Sequence, residues 1–324
     1  MGLRSFAGSV GVDRRRAILR VGSWVLMVAA VAFVALALLQ NWSETEKALK
    51  AADPWWIALA LLFAFGSMIW MAWRWNAAMR AAGGEEASSS RVIGMFFLGE
   101  LGKYVPGGIW SVLGRAELAR RHGHSRTVAY SGVALSLVSC YSAAATVALI
   151  LAIASSSTSS PQIPWWPIAI VFVGGLALLH PSVHSPVVTA LRRVSSRPLD
   201  VQSPGWPTSL RLTASYVPAW IGIAAASCFV TRSFGPHEEI ARIGMAAVTG
   251  WIVGFITPTP GGIGVREAVF IGLAGLPLGT GAAVAILCRL VFISVDAIGA
   301  AIGWTVLRYA KESPLPATSV GLEN

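Results

Sequence analysis

The sequence predicts an all-α polytopic membrane protein, with six spanning helices plus two re-entrant helical hairpins arranged as an inverted repeat. Three observations predict it. The 324 residues are 55% hydrophobic and only 12% charged, against about 25% charged in ordinary soluble domains, and mean hydropathy is +0.65. Several apolar runs approach the roughly 20 residues that a helix needs to cross a bilayer. Finally, two apolar segments are broken midway by one tetrad, Pro106-Gly107-Gly108-Ile109 and Pro260-Gly261-Gly262-Ile263, each with apolar residues before it and charges after it. The repeated tetrad points to a duplication.

The elements follow in order. Residues 1–22 form a basic cytoplasmic N-terminus carrying Arg14, Arg15, Arg16 and Arg20; no small-residue cleavage site follows, so the run over 23–39 reads as a retained first span rather than a signal peptide. A second span over 55–75 returns to the cytoplasm, with Trp70, Trp73 and Trp75 forming an aromatic belt at its exit. The first broken segment, 92–118, has arms of about ten residues, too short to span, and basic residues on both flanks. A hairpin entering from the cytoplasm satisfies both facts. Spans over 127–154 and 165–179 follow, then a cytoplasmic linker over 181–208 with Arg192, Arg193 and Arg197, and a span over 209–230. The second broken segment, 240–276, starts from the outer face. A last span over 279–307 precedes a cytoplasmic tail over 308–324.

This topology puts 18 of the 25 Lys and Arg at cytoplasmic ends, which supports the orientation: a multi-pass protein of the cell (plasma) membrane with both termini cytoplasmic. Three full spans separate the hairpins, so the hairpins enter from opposite faces. Repeat 1 occupies 23–180; repeat 2 begins with the helix over 165–179 and continues over 209–307, inverted. Inverted repeats with broken helices place a substrate site at the repeat interface.

The net charge of +10 and pI near 10.3 do not indicate nucleic acid, because the basic residues cluster at span ends. Cys140, Cys228 and Cys288 lie inside apolar segments without metal spacing and read as small core residues. No His pair has metal spacing with a carboxylate, and no P-loop is present, so neither a metal nor another cofactor is expected.

At Gly102-Lys103-Tyr104-Val105-Pro106-Gly107-Gly108-Ile109-Trp110 and Pro260-Gly261-Gly262-Ile263-Gly264-Val265-Arg266-Glu267-Ala268 the chain resembles the transmembrane, flippase-like domain of the lysylphosphatidylglycerol synthase family, from the first span to the last. The aminoacyl-transferring synthases carry a large soluble catalytic domain after the membrane part, whereas this chain stops soon after Lys311. The resemblance therefore implies a stand-alone translocation unit, not the synthase activity. Its substrates would be phospholipids or polyprenyl-phosphate-linked sugars.

The candidate site follows from backbone and charge. Half-helices starting near Gly107-Gly108 and Gly261-Gly262 would aim free amides and positive dipole ends at one region, a geometry that binds phosphate; the alternative is that these glycines merely permit a turn. Lys103, Arg266 and Arg289 are cations in apolar surroundings, each costing about 2.5–3.5 kcal/mol unless paired or hydrated. Glu100, Glu267 and Asp296 are the available partners. Glu100 and Lys103 share a helical face, as do Arg289 and Asp296, whereas adjacent Arg266 and Glu267 diverge. Arg266 sits at a helix N-terminus that repels cations, so its counter-charge is either an internal carboxylate or a lipid phosphate. Arg115, Glu117, Arg120 and Arg121 form a candidate head-group landing patch, with ordinary positive-inside charge as the alternative for Arg120 and Arg121.

The leading expectation is a flippase, not an enzyme, moving an anionic lipid through a hydrated, cation-lined cavity. Lipid-synthesising or glycosyltransferase enzymes would be its neighbours in the cell. The alternatives are a membrane enzyme acting on polyprenyl-phosphate donors with Glu100, Glu267 or Asp296 as base, and a small-solute transporter.

Overall fold

The computed structural model describes residues 46, 50, 52–85, 87–105, 109–156, 166–180, 182–183, 204–235, 239–257 and 259–310. The expected span over 23–39, residues 184–203 of the linker expected over 181–208, and Pro106-Gly107-Gly108 lie outside them. Every regular element among the described residues is helical.

The chain enters α1 (Pro54–Ala81) through a well-signalled start. Asp53 caps it by accepting the Trp55 N–H at 2.9 Å, and Pro54 occupies the first turn, where its missing N–H costs nothing. Two short helices follow, α2 (Ser89–Glu100) and α3 (Trp110–Arg121), joined through a 3₁₀ turn at Leu101–Tyr104 and packed on each other. Next come α4 (Arg126–Ser156), α5 (Trp166–Leu179) and α6 (Trp206–Arg232). Pro218 lies inside α6, where the ring removes one ladder bond; nearby, Trp70 of α1 donates its indole N–H to the Ser215 carbonyl at 2.8 Å. The second broken segment gives α7 (Ile240–Ile256), a 3₁₀ turn at Pro260–Gly262 and α8 (Val265–Ala274), before α9 (Leu278–Ala310).

Four of these helices are long and apolar enough to cross a membrane: α1, α4, α6 and α9. Two shorter ones, α5 and α7, are also apolar. The 14 residues of α5 extend only about 21 Å as helix, short of the roughly 30 Å hydrocarbon core. The expected boundaries otherwise shift by a few residues, mostly outward, because the spans continue past the apolar run into their polar ends.

The packing partners repeat. α1 packs on α6; α2 packs on α9 as α7 packs on α4; α3 leans on α4 as α8 leans on α9. Close approach is built in by small residues. A Cβ on Gly303 would lie 2.8 Å from the Gly94 carbonyl oxygen, so α9 and α2 touch backbone to backbone there. The two 3₁₀ turns also meet: a Cβ on Gly261 would lie 3.8 Å from both the Lys103 carbonyl oxygen and the Tyr104 ring.

Candidate functional site

At the meeting of the two turns lies a cavity of about 110 Å³, lined from both broken segments and from α1, α4, α6 and α9. About 10–15 Å³ suffices for each water, so the space takes several waters or one phosphate group. Its wall is partly aromatic: the Tyr141 and Phe255 rings stack at 4.1 Å, and Trp251 meets Trp220 and Phe292 edge-on at 6.2 and 5.1 Å.

The second turn needs its glycines for two reasons. Gly261 and Gly262 have φ of 56° and 69°, the left-handed region that side chains disfavour. A Cβ on Gly262 would also fall 2.8 Å from the Gly254 Cα. This turn therefore brings α8 directly back against α7. Gly107 and Gly108, expected to do the same, lie outside the described residues.

Each hairpin then seats an arginine against a glycine of its first arm, at the same interval along the chain. A Cβ on Gly99 would lie 2.2 Å from the Arg115 Cγ, and one on Gly250 would lie 3.0 Å from the Arg266 carbonyl oxygen and 3.4 Å from its Cγ. The absent side chain is the space the arginine occupies. Both arginines line the cavity.

Charges there are paired, with one exception. Lys103 Nζ bridges Asp296 at 2.7 Å and Glu100 at 3.3 Å. Tyr104 adds its hydroxyl to the same Asp296 oxygen at 2.6 Å. Arg115, only 6% exposed, faces Glu100 at 3.7 Å and donates to the Ser111 carbonyl at 3.4 Å. Arg289 pairs with Glu267 and reaches the Gly261 carbonyl at 3.4 Å. Arg266 has no carboxylate partner among the described residues. Its guanidinium lies 3.7 Å from the Trp251 ring centroid and 5.1 Å from that of Phe292, contacts that attract a cation without neutralising it. Two of the lining residues keep a buried polar atom without a hydrogen-bond partner among the described residues, Asp296 at Oδ1 and Trp251 at its indole N–H.

Several expectations change on this geometry. Glu267 does not face the cavity freely: it reaches back to accept the Gly264 N–H at 2.7 Å, closing the first turn of α8 while holding Arg289. One amide at that helix start is thus already occupied. Arg289 and Asp296 share a helix but serve different partners. Arg115 does not belong to a surface patch with Glu117, Arg120 and Arg121; the sequence could not show that Gly99 opens a slot for it. Arg120 and Arg121 instead pair with Glu117 on the exposed end of α3, at 2.8 and 3.2 Å. Hydrogen bonds from Arg120 and then Arg121 hold that carboxyl at about 2, well below its ordinary 4.5.

Sequence reasoning missed Tyr104 and Trp251. Tyr104 stood in the quoted motif as the residue after Lys103; Trp251 carried no separate signal in its apolar arm. It also gave Arg242 no role. The structure buries Arg242 to 9% exposed and has it donate to the Leu273 carbonyl at 2.9 Å, which ties α7 to the end of α8.

Compared with known families, the chain matches the model described as the lysylphosphatidylglycerol synthase TM region over residues 23–299, which includes every charged residue of the cavity. No individual curated protein matches it. The matched span is most of the chain and contains both Pro-Gly-Gly-Ile tetrads: the protein belongs to the lysylphosphatidylglycerol synthase transmembrane-region family.

Proposed function

We propose that this protein is a flippase for an anionic, phosphate-containing lipid, either a polyprenyl-phosphate-linked sugar or a phospholipid. The head group passes through the cavity between the two bends while the tails stay in hydrocarbon. The observation that carries this reading is Arg266, a cation among aromatic rings with no carboxylate partner among the described residues. A cation at membrane depth needs a counter-charge or water, and a phosphate in the adjoining space supplies one through two parallel N–H bonds.

In this reading α2–α3 and α7–α8 are re-entrant hairpins, and the runs over 23–39 and 166–179 complete six spans. The exchange of packing partners, α2 on α9 and α7 on α4, supports two related halves, 23–180 and the repeat that begins at 165 and continues over 209–307. The basic residues at one set of span ends support cytoplasmic termini in the plasma membrane. The enzymes that make or consume the lipid would be its neighbours.

A second reading, a membrane enzyme acting on a polyprenyl-phosphate donor, draws on Asp296 Oδ1, a buried carboxylate oxygen in the cavity wall without a partner. The close contacts of its other oxygen with Lys103 and Tyr104 favour a held anion over a free base. Reconstitution separates the two readings. Labelled lipid that changes leaflet with unaltered mass supports the flippase, and a covalently altered lipid supports the enzyme.

A further inference from the structure

We propose that the cavity selects head groups with a single negative charge, of the phosphodiester type, and discriminates against pyrophosphates and phosphate monoesters that carry two charges or more. The proposal rests on the translocation reading only for where the lipid goes; the selectivity itself is a property of binding.

The charge inventory carries it. Four cations surround the space, Lys103, Arg115, Arg266 and Arg289, and three carboxylates answer them, Glu100, Glu267 and Asp296. Lys103 goes with Asp296, Arg115 with Glu100 and Arg289 with Glu267. Among the described residues Arg266 alone is left over, so the cavity lining carries one uncompensated positive charge. Attraction between a ligand and this charge grows in proportion to the ligand's charge, whereas the hydration lost on entering a low-dielectric site grows roughly as its square. With a single counter-charge available, a second negative charge would stay buried without compensation. The other cations cannot supply it without breaking a pair, because each carboxylate released would itself be stranded.

The cavity of about 110 Å³ has room for a phosphate, and the Tyr141–Phe255 stack and Trp251 bound it on the aromatic side; the discrimination therefore rests on charge.

The test compares two lipids with identical tails, dioleoyl phosphatidylglycerol and dioleoylglycerol pyrophosphate, binding to the purified full chain in neutral detergent micelles by native mass spectrometry. Phosphatidylglycerol is expected to bind about ten-fold more tightly. In Glu100→Gln, which frees a second positive charge, the preference is expected to shift by about ten-fold toward the pyrophosphate. Equal or tighter binding of the pyrophosphate by the unaltered protein overturns the proposal, as does an unchanged ratio in a folded Glu100→Gln protein. If that variant does not fold, the comparison on the unaltered protein decides alone. Selective binding of phosphatidylglycerol without its movement across vesicles would sink translocation and leave selectivity standing. Equal movement of both lipids would do the reverse, and binding of neither contradicts both.

Discussion

Two arginines on one cavity should respond oppositely to the same substitution. Arg289→Gln removes the partner of Glu267, which keeps only the Gly264 N–H. Stranding a buried carboxylate in this way costs about 3–5 kcal/mol. Arg266→Gln strands no carboxylate. It gives up cation–π contacts with Trp251 and Phe292, worth about 0.5–2 kcal/mol, and relieves the cost of an unneutralised cation at depth, about 2.5–3.5 kcal/mol. The net change is a stabilisation of about 0.5–3 kcal/mol, so the variants should differ by about 3.5 kcal/mol or more. Equilibrium unfolding in mixed micelles measures the difference, and adding Glu267→Gln to Arg289→Gln should recover most of the loss. If Arg266→Gln loses as much stability as Arg289→Gln, Arg266 is a structural residue and the phosphate argument fails.

Other outcomes are more local. Gly99→Ala places a methyl 2.2 Å from the Arg115 Cγ and should cost about 1–3 kcal/mol by overpacking, with further loss of transport as Arg115 leaves Glu100; unchanged thermal stability would contradict the close packing of α2 and α3. Cysteines at Ser88 and Leu278, both exposed, should react with an impermeant maleimide from the cytoplasmic and the outer side respectively, and labelling from one common side would refute the inverted topology. The Glu117 carboxyl lies at about 2 in the folded chain against an ordinary 4.5, so its pairing with Arg120 and Arg121 favours folding above about pH 4.5 and is lost as pH falls toward 2. Carbon-13 NMR of labelled glutamate should show that midpoint, and titration near 4.5 would mean the pairs do not form in solution.

Much of the scaffold was legible because its signals are local. Apolar length marked α1, α4, α6 and α9, and the Pro-Gly-Gly tetrad marked the turn at Pro260–Gly262, where positive φ leaves no other residue comfortable. The Glu100–Lys103 pair was legible for the same reason, three residues apart on one turn. What the sequence could not show depends on residues brought together across the fold. The Lys103–Asp296 bridge joins the first broken segment to α9. The slot for Arg115 exists because Gly99 lies opposite on another helix, and no periodicity reports that. Glu267 was legible only as an available partner for the cations, because its capping of Gly264 and its pairing with Arg289 in particular both depend on where α8 starts.

The central claim is that a lipid phosphate crosses the membrane by way of Arg266. Its most direct test is transbilayer movement of labelled phosphatidylglycerol in proteoliposomes containing the unaltered protein, Arg266→Lys or Arg266→Gln, with folding checked on the same samples. The account predicts movement by the unaltered protein, partial activity in Arg266→Lys, where a point charge replaces the bidentate fork, and near-complete loss in a fully folded Arg266→Gln. Movement by Arg266→Gln at the rate of the unaltered protein would contradict it.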